Sequence, residues 1–184
     1  VVKRNGQWEK FSTKEYKEAV DNFSYGLLEG GFQKGDKIAT VSNNRPEWNM
    51  LDMGLSQIGG IHVPIYPNIS NEEYEHIFQH SESKYLVLSS KEQYDKIKPI
   101  ADKIKNIEKV YLFDSVQGIP NWSEIVESGK LHNNKHQDKL LQLKESIQPN
   151  DLCSIIYTSG TTGLSKGVML SHNNFISNVL DCKH

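Results

Sequence analysis

The sequence predicts an α/β fold in which a largely parallel sheet is covered by helices. Apolar runs of strand length alternate with amphipathic stretches of helical spacing along most of the 184 residues. Two Ser-x-x-Glu capping boxes, at Ser12 and Ser70, open two of the amphipathic stretches. Residues 152–157 form a continuous apolar run, as expected of a strand that is buried on both faces. Strands that alternate with helices in this way build parallel sheets.

Each predicted strand is an apolar or β-branched run that stops at turn residues or at a helix start. The strands are residues 37–42, 61–66, 84–88, 109–113 and 152–157. The first helix begins at the Ser12 box and stops at a pair of glycines, and Pro46 is predicted as the first residue of the second helix. A third helix begins at the Ser70 box, and a fourth passes through Tyr94 and Ile97.

A polar stretch, residues 128–137, interrupts this alternation with asparagine, lysine and histidine. It is predicted as a surface loop, and a short helix is predicted near residues 140–143.

The composition excludes several classes of partner. Lys and Arg number 21 and Asp and Glu 23, for a formal net charge of -2, and no basic stripe suggests nucleic-acid binding. No apolar run approaches the ~18 residues that a membrane span needs. Cys153 and Cys182 lack a metal or redox spacing, so Cys153 is interpreted as a small buried hydrophobe in a reducing compartment. We therefore expect a cytoplasmic protein with small-molecule partners, and peripheral membrane contact stays open.

Two histidine pairs stand four residues apart, His76 with His80 and His132 with His136. Such pairs share a helix face and could bind a metal ion. Neither pair has the glutamate of a zinc-protease motif or an evident third ligand, so metal binding is the less favoured interpretation.

The stretch that follows residue 157 carries the chemistry. Gly160, Gly163 and Gly167 remove side chains where backbone N–H groups could turn toward an anion, and Lys166 adds a positive charge. Turns rich in Gly, Ser and Thr are commonly plain loops, but this one lies between an apolar strand and a Lys-Gly-Val run, which favours a phosphate site. The predicted phosphate-binding residues are Thr158, Ser159, Gly160, Thr161, Thr162, Gly163 and Lys166.

A Walker loop is the competing interpretation of this stretch. That loop requires Gly-Lys-Ser/Thr at the start of a helix. Here Ser165 precedes Lys166, Gly167 follows it, and residues 168–170 are predicted as a strand. The predicted arrangement is therefore strand, Gly-rich turn, strand.

Residues 157–167 resemble the phosphate-binding signature of the adenylate-forming, or AMP-binding, superfamily, which includes acyl-CoA synthetases, luciferases and peptide-synthetase adenylation domains. Residues 44–48, 59–67 and 80–84 are similar to early segments of long-chain acyl-CoA synthetases in order and spacing. The resemblance thus covers nearly the whole chain. One departure is Ser165, where many members have proline.

The resemblance implies that residues 1–184 are a partial AMP-binding domain, the N-terminal portion of the large domain of an acyl-CoA synthetase. It implies an acid–thiol ligase that activates a long-chain fatty acid with ATP and Mg2+ as acyl-adenylate and transfers the acyl group to CoA. Thr161 is the implied Mg2+ contact, and no catalytic residue is assigned within the chain. The chain alone is expected to be inactive, and an exposed apolar face is expected to favour its self-association.

A non-catalytic nucleotide-binding or interaction module derived from the same fold stays open as an alternative. The sequence lacks an initiator Met and stops inside an amphipathic pattern, so we expect it to be a piece of a longer chain. A later acidic metal motif and a later lysine would favour the enzyme, whereas a natural stop after residue 184 would favour the module.

Overall fold

The computed structural model describes residues 2–4, 6–160 and 163–182, with residues 4, 159 and 160 described through their backbone. The strands are β1 (Val2–Arg4), β2 (Gln7–Glu9), β3 (Lys37–Val41), β4 (Ile61–Ile65), β5 (Tyr85–Leu88), β6 (Lys109–Leu112), β7 (Leu152–Gly160) and β8 (Gly163–Ser171). The helices are α1 (Thr13–Glu29), α2 (Pro46–Gln57), α3 (Asn71–Ser81), α4 (Lys91–Ala101), α5 (Ser123–Ser146) and α6 (His172–Asp181).

The central sheet has the strand order β6-β5-β3-β4-β7-β8. All neighbouring pairs are parallel except β7 with β8, which form an antiparallel hairpin at one edge. The predicted α/β class is confirmed, and β7 lies inside the sheet between β4 and β8, although Cys153 and Ile156 are only half-buried. The short β1–β2 hairpin, by contrast, was not predicted from the sequence.

The local helix signals act as predicted. The Ser12 and Ser70 hydroxyls each accept a hydrogen bond from a backbone N–H three residues on, and the glutamates Glu15 and Glu73 return the contact. Pro46 is the first residue of α2, where its missing N–H leaves no broken bond.

Helices cover both faces of the sheet and bury two apolar clusters. α3 and α4 pack on one face, and α1, α2 and α5 pack on the other. The chain leaves β3, passes through α2 and enters the sheet again beside it as β4. From β4 it passes through α3 and enters the sheet on the far side of β3, as β5. The strand order therefore reverses between β3 and β4, and the carboxyl ends of such strands are where open α/β sheets bind ligands.

The prediction of a surface loop at residues 128–137 is wrong, because this stretch lies inside α5. Except for His136, which is buried, its polar residues lie toward the outer side of a 24-residue helix whose inner side buries Ile125 and Leu140. Glycine at position 129 lets α5 approach α1: a Cβ there would lie 1.8 Å from the carbonyl oxygen of Asn22. At this crossing His136 Nε2 also lies 2.7 Å from a carboxylate oxygen of Glu29. Tertiary packing thus overrides a weak local pattern.

No helix in the described part of the chain is long and apolar enough to cross a membrane.

Candidate phosphate-binding site

The β7–β8 hairpin carries the predicted site past the carboxyl edge of the parallel strands. His62 of β4 lies opposite Ser154 of β7. This register sets Tyr157 level with the last residue of β4, so the end of β7 projects beyond its neighbour. The strands are longer than predicted, since β7 continues to Gly160 and β8 begins at Gly163. Most of the predicted Gly-rich turn is therefore hairpin strand.

Thr158 and Lys166 face each other across the hairpin near its tip. Directly opposite residues of an antiparallel pair project from the same face of the sheet, and both of these residues are exposed. Among the residues that the structure describes, none forms an ion pair with Lys166. A hydroxyl and an uncompensated ammonium on one exposed face form a surface suited to an anion.

Positions 163 and 167 of this stretch are glycine for different structural reasons. Gly163 has a φ of 131°, which side chains other than hydrogen rarely allow. Gly167 lies opposite Tyr157, and a Cβ at position 167 would come within 2.8 Å of Ile155 Cγ2. The prediction treated Gly167 as an anion-binding glycine, but its packing against the neighbouring strand already requires a glycine.

A strand, not a helix, begins at Gly163, and this excludes the Walker interpretation. The predicted site residues divide into three groups. Thr158, Gly163 and Lys166 lie together at the described end of the hairpin. Ser159 and Gly160 are placed through their backbone in β7, and Thr161 and Thr162 lie outside the described residues.

Helix α3 packs against the face of the hairpin opposite Lys166. His76 Nε2 donates to the backbone carbonyl of Ser165 at 2.9 Å, and His80 Nδ1 shares a hydrogen bond of 2.6 Å with the Tyr157 hydroxyl. Burial raises the pKa of Tyr157 to about 12, so its hydroxyl stays protonated at neutral pH. The histidine spacing that suggested a metal pair thus reflects contacts to the hairpin. Within the described ranges, no group of three or more potential ligands could hold a metal ion.

Two cavities open at the carboxyl end of β4, on either side of the exposed Tyr66. One, of about 280 Å³, lies between α3 and the hairpin and is lined by Thr158 and Ser165. The other, of about 210 Å³, lies where the strand order reverses and is lined by Ser42 and Trp48. The hairpin tip therefore adjoins the crevice in which this kind of sheet accommodates ligands.

A buried polar chain lies deeper in the sheet. His62 Nδ1 contacts Asp52 Oδ1 at 2.7 Å, and its Nε2 contacts Thr40 Oγ1 at 2.9 Å. The order Asp–His–Thr is that of a nucleophilic triad. Thr40 is fully buried, however, and its hydroxyl also accepts from the indole N–H of Trp48. We assign this chain to the structure of the sheet, because no substrate could reach Thr40.

Comparisons with known proteins agree with this architecture. The family model of AMP-binding enzymes matches residues 1–184. The chain is 32% identical over 177 residues to a long-chain-fatty-acid–CoA ligase of Xenopus laevis and 27% identical over 180 residues to one of Drosophila melanogaster. These alignments cover 94% of this chain and 24% and 26% of the two proteins. The chain thus spans about a quarter of the length of the curated relatives it matches.

Solved structures show the same fold. A long-chain-fatty-acid–CoA ligase from Archaeoglobus fulgidus superimposes with a TM-score of 0.76 at 27% identity, over 98% of this chain and 35% of that chain. ATP-bound MatB from Rhodopseudomonas palustris superimposes with a TM-score of 0.69 at 26% identity, over 94% of this chain and 32% of that chain. The topology and these structures define an α/β domain of the acyl-CoA ligase type. The chain belongs to the AMP-binding enzyme family.

Proposed function

We propose that this chain is the N-terminal portion of an ATP-dependent long-chain fatty acid–CoA ligase, and that the β7–β8 hairpin binds the ATP phosphates. The observation that carries the proposal is the pairing of Thr158 with Lys166 on an exposed face past the carboxyl edge of the sheet. The similarity to ligases named for long-chain fatty acids supports this acyl class. The predicted contacts of Ser159, Gly160, Thr161, Thr162 and Gly163 belong to the same proposal.

The proposed reaction has two steps. A carboxylate oxygen of the fatty acid attacks the α-phosphorus of ATP, the bond to the β-phosphate bridging oxygen breaks, and pyrophosphate leaves. The thiolate of CoA then attacks the acyl carbonyl and releases AMP. Lys166 and the Thr158 hydroxyl offer positive charge and a donor to the phosphate oxygens on which negative charge grows, which lowers the barrier without a covalent step.

The described residues of the hairpin do not supply a set of ligands for Mg2+. A hydroxyl and an ammonium fit an anion, whereas Mg2+ prefers several oxygen ligands, among them carboxylates and phosphates. The role of Thr161 as the Mg2+ contact stays a prediction from the resemblance, because Thr161 lies outside the described residues.

The test is ligase activity in the intact protein that contains this chain. We expect it to form acyl-CoA and pyrophosphate from ATP, CoA and a long-chain fatty acid. The 184-residue chain alone is expected to form no acyl-adenylate, because placing the carboxylate against the α-phosphate needs groups from the rest of the protein. The measurement is pyrophosphate release from both proteins.

Pyrophosphate release by the 184-residue chain alone would refute the expectation that adenylation needs groups from the rest of the protein. An inactive intact protein that still binds ATP would favour the non-catalytic nucleotide-binding module. A cytoplasmic location belongs to the proposal, and fractionating cells that produce the intact protein tests it and shows whether the protein contacts membranes.

The isolated chain is also expected to self-associate through β8 and α6. β8 is an edge strand that exposes Met169, and α6 exposes Ile176 and Val179. Exposed apolar side chains beside an unpaired strand edge are an aggregation site. Light scattering over a concentration series should show oligomers that the paired substitutions Met169→Lys and Val179→Lys reduce. A monomer at high concentration would contradict the expectation.

A further inference from the structure

Two histidines of α3, one helical turn apart, bind the hairpin that carries the proposed phosphate site. His76 donates from Nε2 to the Ser165 carbonyl at 2.9 Å, and His80 meets the Tyr157 hydroxyl at 2.6 Å. The two imidazole rings stack with centroids 5.6 Å apart, and the Tyr157 ring is nearly perpendicular to both of them. The four groups form one connected cluster, which we call the histidine clamp.

The clamp contacts the hairpin at a point where a cavity adjoins it. The cavity of about 280 Å³ separates this end of the hairpin from β4 and the start of α3. Protein interiors are otherwise close-packed, and a void removes the contacts that would hold its lining in place. Ser165, which lines the cavity, is buried, and its hydroxyl has no hydrogen-bond partner among the described residues. Its backbone carbonyl, by contrast, has a side-chain donor in His76.

Each contact of the clamp lies next to a residue of the proposed site. Ser165 precedes Lys166, and Tyr157 precedes Thr158. Successive residues of a strand point to opposite faces, so the clamp holds one face of the hairpin while Thr158 and Lys166 project from the other. Ser165 lacks the ring that fixes φ in proline, so its own covalent structure restricts neither φ nor ψ, and the His76 contact is to its carbonyl. Fixing that carbonyl restricts the peptide plane from which Lys166 extends.

We infer that His76 and His80 are positioning residues that set the Thr158–Lys166 pair for the nucleotide phosphates. The inference rests on the proposed function, since it assigns the pair a phosphate ligand. Neither histidine touches the ligand, and both act through the backbone and side chain of the hairpin. The structure gives the contacts on which the effect depends: a donor to one carbonyl and a hydrogen bond to one phenol.

The first test separates ATP from the other substrates in the intact protein. His76→Leu should lower kcat/KM for ATP about tenfold, less than the hundredfold that a full 1 Å displacement can cost, while KM for the fatty acid stays unchanged. His76→Gln keeps an N–H donor and should recover most of the loss. His132→Leu is the matched control, because His132 lies on α5 and its contacts, to the Ser128 carbonyl and to Glu29 of α1, do not involve the hairpin. Equal losses in His76→Gln and His76→Leu would overturn the inference.

The second contact is tested with Tyr157→Phe, which removes the hydroxyl and keeps the ring. Because His80 and Tyr157 act through one hydrogen bond, the pair of changes His80→Leu and Tyr157→Phe should lower kcat/KM for ATP no further than the larger single change. Fully additive losses would contradict a shared role.

Hydrogen exchange tests the histidine clamp without an enzyme assay. In the intact protein, backbone amides of residues 158 and 163–167 should exchange about fivefold faster in His76→Leu than in the wild type, as expected for the loss of one net hydrogen bond. Exchange in His132→Leu should match the wild type. If the wild-type protein showed no ligase activity, the proposed function would be refuted, and hydrogen exchange would still test the histidine clamp. Unchanged exchange at the hairpin in His76→Leu would overturn the inference.

Discussion

Replacing Lys166 by alanine in the intact protein is expected to lower the rate of adenylate formation about tenfold to a hundredfold and to leave the melting temperature unchanged. Lys166 is exposed and makes no ion pair with the described residues, so its removal leaves no cavity and no stranded partner. With ATP bound, the change removes a charge-assisted contact to a phosphate oxygen. Such a contact contributes roughly 1.5–3 kcal/mol, which gives the stated loss of rate if it is strongest in the transition state.

The measurement is single-turnover adenylate formation at saturating ATP, beside a thermal melt of both proteins. Lys139→Ala is the matched control, because Lys139 is an exposed lysine of α5, which packs on the other face of the sheet from α3. It should match the wild type in both measurements. An unchanged rate in Lys166→Ala would show that Lys166 is a solvated surface charge, and phosphate binding would then depend on the backbone and the hydroxyls.

Replacing Gly129 by alanine is expected to destabilise the protein by roughly 3 kcal/mol, the upper part of the range for overpacked sites. The new Cβ would lie 1.8 Å from the carbonyl oxygen of Asn22 and 2.5 Å from the backbone nitrogen of Gly26. Both are backbone atoms, so no side chain can rotate away and α5 must move from α1. For a chain of this size the melting temperature should fall by about 2–4 °C for each kcal/mol.

The sign of the change in melting temperature distinguishes overpacking from helix propensity. Glycine to alanine inside an exposed helix stabilises it by about 1 kcal/mol, so propensity alone predicts the opposite result. Asn134→Ala is the control, since Asn134 is an exposed residue of the same helix. Its melting temperature should stay the same or rise slightly. A rise in Gly129→Ala as well would show that α5 does not approach α1 at this point.

Local chemistry accounts for what could be predicted from the sequence. The capping boxes at Ser12 and Ser70 involve residues three apart, so the pattern of the chain contains the whole contact. The position of β7 followed from an apolar run long enough to be buried. The Gly-rich stretch after it indicated the candidate phosphate site, which stays a prediction, and the structure places two of its residues, Thr158 and Lys166, opposite each other.

Contacts between distant parts of the chain account for what could not be predicted. The loop predicted at residues 128–137 is helical because α5 packs on α1, through contacts such as that of His136 with Glu29, 107 residues earlier. The histidine clamp joins α3 to a hairpin 77 and 89 residues further on. The spacing of His76 and His80 correctly predicted a shared helix face. Only the fold shows that this face meets a tyrosine and a backbone carbonyl.

The distribution of the helices over the two faces of the sheet has a consequence for synthesis. α3 and α4, which cover one face, are complete at Ala101, and α5, which covers much of the other face, ends at Ser146. Chains grow from the N-terminus at about 5–20 residues per second. The apolar side of α1, which includes Phe23 and Leu27, is therefore synthesised several seconds before α5, the helix that packs on it. During this interval the part of α1 that α5 covers stays exposed on the growing chain, and such exposed apolar surface makes folding intermediates prone to aggregation.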